Sequence, residues 1–204
     1  MRPPRKLTRD FYLRDTVSVA RALLGCVLWR RNGDELIAAR IVEAEAYLGA
    51  NDAASHARRG LRSPRNESMY LDGGHAYVYF TYGMHWCMNV VTQEADLAEA
   101  VLLRAAQPLL GLESMWKRRP KARREFDLMN GPGKLCAALA IDRALDGAPL
   151  DGDELFLTGR DLAVSDDHIL VSPRIGVENS GDAAYWPLRF FLRGNRYVSA
   201  YRHV

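Results

Sequence analysis

Residues 40–49, RIVEAEAYLG, alternate with a period of two. Read as a strand, they put Val42, Ala44, Ala46 and Leu48 on one apolar face and Ile41, Glu43, Glu45 and Tyr47 on the other. This commits the segment to a sheet and sets a problem. Residues i and i+2 of a strand lie about 6.6 Å apart, so the two carboxylates repel each other and must keep their water or find partners. Three uses are open. Glu43 and Glu45 could be structural, paired with arginines such as Arg40 or Arg104. They could be the carboxylates of a glycoside hydrolase, although such pairs usually come from elements facing each other across a sugar. Or one of them could be a general base that activates water.

The rest of the chain reads mostly as hairpins. CVLWRR and LIAARIVEAEAYL are strands joined through NGD. Residues 75–91 are strand-like on both sides of Gly83, and 99–106 form a further strand. Residues 189–202 read as a hairpin turning at Gly194-Asn195. Residues 16–24 read as a helix, with Thr16 as N-cap and Gly25 as the stop. Pro108 is expected to open a helix running to about Lys117, and GPGKLCAALAI begins another. Residues 49–70 have no clear period and read as a long loop. With 204 residues, 48% of them hydrophobic, there is material for one core. The expectation is a single mixed α/β domain over 1–204, mostly antiparallel sheet with a few helices, and a flexible basic segment at 1–10.

No apolar run approaches the roughly 20 residues of a membrane span. The N-terminal MRPPRKLTRD lacks the apolar stretch of a signal peptide. Cys26, Cys87 and Cys136 form no CxxC pair and are expected to be buried reduced thiols of an intracellular protein. The net charge is only +3, but it is unevenly spread. WKRRPKARR, 116–124, carries six cations and no anion, and RRGLRSPR, 58–65, carries four and none. The compensating acid lies in 146–168. A basic face suits a polyanion such as nucleic acid; the competing reading is two solvated loops.

Several familiar devices are absent. GPGK at 131–134 resembles the end of a phosphate loop, but Leu128 and Leu135 stand where that motif needs glycine and Ser/Thr. Either the backbone at this helix start holds a phosphate of a polymer, or GPGK is only a helix start. Asp52 and His56 are four apart, with no HExxH and no cysteine cluster, so no metal is expected. The aromatics are more telling. Tyr77, Tyr79 and Tyr82 precede a glycine turn, Tyr47 follows the glutamates and His56 comes nine residues later. Flat rings beside a carboxylate, with arginine loops nearby, are the parts needed to grip an unstacked base. Tyr77 reads as ordinary strand packing. Tyr79 and Tyr82, three apart, would face opposite ways on a regular strand and so have different jobs.

Taken in order, RIVEAEAYLG, SPRNESMY, AYVYFTYGMHWCMNVV, VLLRAAQPLLGLE, NGPGKLCAALAI and PLRFFLRG resemble the alkyladenine (3-methylpurine) DNA glycosylase family, from about Phe11 to Tyr201. The resemblance implies a monofunctional base-excision repair enzyme that flips a damaged purine out of duplex DNA and hydrolyses its N-glycosidic bond. It implies a β-hairpin that enters the minor groove, no cofactor, a monomer, and a location with the DNA: nucleoid-associated in a bacterium, nuclear in a eukaryote. Glu45 then resembles the base that deprotonates water, Arg104 the residue that helps hold that water, and Asn89 a residue that helps screen bases. Tyr47 and His56 resemble the rings on one side of the flipped base and Tyr79 the ring on the other. Tyr82 resembles the side chain that fills the gap in the stack. Arg65, Met84, Gly131, Gly133 and Lys134 fall in DNA-contacting segments. Glu43 is expected in a structural ion pair. Two rivals remain: a nucleic-acid-binding module without catalysis, for which Glu45 is dispensable, and a metal-dependent hydrolase built on Glu43, Glu45, Asp52 and His56.

Overall fold

The segment that carries the two glutamates is the middle of the sheet. The computed structural model describes residues 5–199. Strands β1 (Cys26–Asn32), β2 (Glu35–Tyr47), β3 (Ala76–Thr81), β4 (His85–Thr92), β5 (Glu99–Leu110), β6 (Leu155–Arg160), β7 (Ile169–Ser172) and β8 (Arg189–Leu192) form one sheet. Its main path runs β3-β4-β5-β2-β1-β6, and every ladder is antiparallel. β2 is 13 residues long and pairs with β5 along one edge. Its other edge is shared, with β1 pairing Glu35–Arg40 and β8 pairing Glu43–Glu45. Both backbone edges of the Glu43–Glu45 stretch are therefore hydrogen-bonded within the sheet.

The period-two reading of β2 holds, and both faces are covered. Val42, Ala44 and Ala46 join the main core with Val101, Leu103, Val78, Met88 and Val90. Helix α2 (Thr16–Leu23) buries Val19, Ala20 and Leu23 in that core, and α4 (Pro132–Ala138) adds Leu135 and Cys136. A smaller apolar cluster contains Tyr77, Val91, Ala100, Ala57 and Met69, with Tyr47 and Tyr79 packed against it. All three cysteines are buried and unpaired.

Several boundaries differ from the sequence reading. The cap of α2 is Asp15, whose carboxylate accepts the Ser18 N–H at 2.8 Å, so Thr16 lies inside the helix. Pro108 does not open a helix. It sits in β5 opposite Ala39, beside a register shift, where its missing N–H is tolerated. The strand continues to Leu110, Gly111 turns the chain with φ +81°, and α3 spans Leu112–Arg118. β8 ends at Leu192, and no returning strand follows Gly194 among the described residues; its partners are β7 and β2. Residues 200–202 of the expected hairpin, like 1–4 of the basic segment, lie outside the described residues. Residues 5–10 of that segment are tied to β6 and the turn before it: the Leu7 N–H donates to Leu157 O, and Lys6 Nζ donates to Gly152 O at 2.7 Å. α1 (Arg9–Tyr12) follows.

Candidate active site

The site is a transverse row across four strands. Tyr77 of β3 is in register with Asn89 of β4, Asn89 with Leu102 of β5, and Leu102 with Glu45 of β2. Residues two apart along each strand share that face, which adds Tyr79, Cys87, Glu43 and Tyr47. Arg104, two beyond Leu102, shares the face as well and sits at an irregularity. Ala44 is opposite Leu103 but Glu43 is opposite Ala105, so Arg104 is an extra residue on β5. Such a bulge bends the strand and re-aims a side chain. Here Arg104 bridges both glutamates, with Nε donating to Glu43 Oε1 at 3.0 Å and Nη1 to Glu45 Oε2 at 3.1 Å.

The two carboxylates are fully buried but have different surroundings. Glu43 also accepts from Arg189 Nε at 2.7 Å and from the backbone N–H and hydroxyl of Ser199, both at 2.7 Å. It is the ion-paired residue expected, with Arg104 and Arg189 as partners. Arg40 pairs instead with Asp161 and Gln107. Glu45 accepts from the Ile175 N–H at 2.8 Å on Oε1, and from the Tyr47 hydroxyl and Arg104 on Oε2. Burial pushes the Glu45 pKa up; Arg104 and the Ile175 amide pull it back, and Glu43 adds to the rise. Burial opposes the charge on Arg104, but Glu45 and Glu43 outweigh it and keep the guanidinium protonated.

A cavity of about 200 Å³ adjoins this pair. Its walls include Tyr47, His56, Tyr79, Asn89, Arg104 and Tyr82, together with Ile175–Val177, a segment that no motif in the sequence marks. Glu45 lies directly behind Tyr47, Arg104 and Ile175, the three groups that hold it. Asn89 donates to Tyr77 O at 3.1 Å. Tyr77 is packed as expected, but its hydroxyl also meets His56 Nδ1 at 2.7 Å and so orients that ring. Burial, with Arg65 and Arg58 adding to it, lowers the His56 pKa to about 4, so the ring is neutral at pH 7. The His56 and Tyr79 rings touch edge to face, with centroids 4.5 Å apart. A flat ring between them requires that contact to open.

Tyr82 is not on a strand. It lies in the three-residue turn between β3 and β4, is 80% exposed, and has φ +52°, an unusual conformation for a bulky residue. Met84 and Phe80 are exposed beside it. Arg65 Nη2 donates to Phe80 O at 3.1 Å, tying the arginine loop to β3. On the α4 side, Lys134 Nζ is bound to Asn130 Oδ1 at 2.6 Å. A Cβ on Gly133 would come within 2.9 Å of His85, so this glycine lets α4 pack against β4. Gly131 precedes Pro132, which reaches the cavity wall.

The proposed metal set does not assemble. Asp52 is bound bidentately by Arg174, His56 by Tyr77, and both glutamates by arginine. Among the described residues, no three His, Cys, Asp or Glu side chains are grouped to hold a metal ion.

A family model described as methylpurine-DNA glycosylase matches residues 10–196. The chain belongs to the methylpurine-DNA glycosylase family. It is 46% identical over 195 residues to a candidate 3-methyladenine DNA glycosylase of Bdellovibrio bacteriovorus, covering 95% of this chain and 98% of that protein. A protein of the same description from Methanocella arvoryzae is 46% identical over 193 residues, 95% of each chain. The human DNA-3-methyladenine glycosylase is 44% identical over 216 residues, 99% of this chain and 72% of the human one. This methylpurine-DNA glycosylase family member is accordingly a hydrolase of base-excision repair that acts on DNA.

Proposed function

We propose that the chain excises alkylated purines extruded from duplex DNA, as a monomer with no metal, using Glu45 as general base. The observation that supports this is the junction of the two halves of the site. A carboxylate held by Arg104, Tyr47 and the Ile175 amide stands directly behind a small cavity walled by aromatic rings. One half suits a purine ring, the other a water molecule.

In this reading a purine methylated at N3 or N7 is cationic and a good leaving group. Stacked on Tyr47 and Tyr79, it gains cation–π energy of about 0.5–2 kcal/mol that a normal base lacks. Tyr79 swings away from His56 to admit it. As the bond to the base lengthens, the sugar gains oxocarbenium character, which the Glu45 anion stabilises. Arg104 Nη2, which makes no hydrogen bond among the described residues, steadies the water from which Glu45 takes a proton. Asn89, on the row between Tyr77 and Leu102, meets the edge of the base and screens its substituents. Tyr82, exposed at the turn with Met84 and Phe80, enters the minor groove and fills the gap in the stack. Arg65 and the start of α4 lie along the DNA backbone. The enzyme works where the DNA is, at the nucleoid or in the nucleus.

The test is a duplex carrying one 7-methylguanine or hypoxanthine at a defined position. The protein should release the free base in EDTA and leave an intact abasic site. Trapping of a covalent protein–DNA adduct by borohydride, or loss of activity with chelator, would overturn the reading.

A further inference from the structure

Behind Tyr47 lies a buried ion pair that the proposed reaction has not used. Asp52 and Arg174 have fully buried side chains. Arg174 Nη2 donates to Asp52 Oδ1 at 2.8 Å and Nη1 to Oδ2, a two-pronged contact. Nη1 also donates to Ala46 O at 3.0 Å and Nη2 to Ala183 O at 3.1 Å. Asp52 in turn accepts the Leu48 and Ala54 N–H groups at 3.1 and 2.9 Å. The guanidinium carbon stands 4.6 Å from the centroid of the Tyr47 ring. The residue after Arg174 is Ile175, whose N–H holds Glu45.

We propose that Asp52 and Arg174 are positioning residues for excision: the pair locks the Tyr47 ring and the Ile175 amide together, and so fixes the base-stacking surface relative to Glu45. Three otherwise separate wall segments meet at this pair. The end of β2 is held through Ala46 O, the loop before His56 through Asp52, and Ile175–Val177 through the backbone that follows Arg174. An ion pair needed only for folding would not have to touch both the ring and the strand of the catalytic carboxylate. Such a lock matters because a misplacement of about 1 Å at a reacting group costs about 10²-fold in rate.

The inference rests on Glu45 being the base. Glu45 faces Arg104 from β5, Glu43 and Tyr47 from its own strand, Tyr79 from β3, Cys87 from β4 and the Ile175 amide. Arg189 of β8 reaches it only through Glu43. Loosening the Ile175 hydrogen bond removes one influence that favours the anion, so the acid limb of activity should move to higher pH.

Single changes that strand one buried charge endanger folding, whereas removing both charges together is often tolerated. The test therefore uses the full chain with the double variant Asp52→Asn/Arg174→Met, and with Arg174→Lys, which keeps the charge but not the planar fork. Single-turnover excision of 7-methylguanine is measured against pH, together with melting and affinity for a duplex with an abasic-site analogue. Both variants should fold and bind the analogue within about threefold of wild type, lose about 10- to 100-fold in the excision step, and show an acid limb at higher pH. Arg174→Lys should be the milder. A folded variant with wild-type rate and limb would overturn the proposal, leaving a purely structural pair. If the double variant does not fold, Arg174→Lys decides alone by the same two outcomes. Glu45→Gln is run beside them. If it excises normally, the reading of Glu45 fails; if it is inactive while both variants are normal, only the positioning role fails.

Discussion

At the scale of single residues, the site sets burial against charge. Glu45 has no solvent exposure, yet the proposed role as base requires it to be an anion. Arg104 and the Ile175 amide favour the anion; burial and Glu43 oppose it, and the balance lies above the ordinary carboxylate range. An unperturbed glutamate ionises near pH 4.3. The base form is lost as pH falls through the raised folded-state value, so the acid limb of single-turnover excision should lie above about 4.3. Replacing Arg104 by Met removes the strongest influence favouring the anion and should move the limb further up. A wild-type limb at or below about 4.3, or a limb that moves down in Arg104→Met, would contradict the assignment. The sequence made the pair of glutamates visible and named Arg104 as a partner. It held no sign of Arg189, Ser199 or Ile175. Their contacts with β2 span more than a hundred positions and follow no local period.

At the scale of elements, what could be read was whatever local periodicity encodes. β1 through β4 lie close to where their alternation and turn residues put them, and the face assignment of β2 carries directly into the site. Where one residue breaks the period, the reading failed. Pro108 looks like a helix start but ends up in a strand, because β5 pairs along β2 and the neighbouring register shift accommodates a missing N–H. The bulge at Arg104 is equally silent in sequence. β6, inside the acidic stretch, and β7, just after it, are short runs that begin with three consecutive apolar residues and show no alternation. The turn between β3 and β4 yields a sharper prediction. Tyr82 has φ +52° and an exposed ring, so Tyr82→Gly relieves backbone strain and removes little packing. Relief of about 1–2 kcal/mol less a glycine entropy cost of about 0.5–1 kcal/mol leaves stability level or slightly higher. The melting temperature should hold or rise by about 2–4 °C. Base extrusion, followed with a fluorescent adenine analogue, should weaken. Normal extrusion with a melting temperature several degrees lower would make Tyr82 a packing residue and reject its insertion into DNA.

At the scale of the whole molecule, the two basic runs that looked equivalent in sequence are not. In 116–124, Lys117, Arg118 and Arg124 are paired with Glu113, Glu35 and Asp127. In 58–65, Arg62 is paired with Glu67 and Asp96, while Arg65 reaches the Phe80 carbonyl and Arg58 and Arg59 are exposed. Among the described residues each run keeps three cations outside an ion pair, but the 58–65 loop is tied to β3 through Arg65, and Arg65 and Arg58 act on His56 of the cavity wall, so this loop should neutralise the larger share of the DNA phosphates. Replacing Arg58, Arg59 and Arg65 by neutral residues should lower the slope of log K against log[salt] by about 0.9 for each phosphate left without its cation, and the same treatment of Lys117, Lys121 and Arg123 should change it less. The opposite ranking would reverse the face presented to DNA. The most direct measurement compares Glu45→Gln with Glu43→Gln in single-turnover excision of 7-methylguanine, with duplex affinity measured in parallel. Glu45→Gln should keep wild-type affinity and lose about 10²–10⁴-fold in the excision step, while folded Glu43→Gln loses far less. A Glu45→Gln enzyme that excises at the wild-type rate, or a Glu43→Gln enzyme that is the more impaired of the two, would contradict the account.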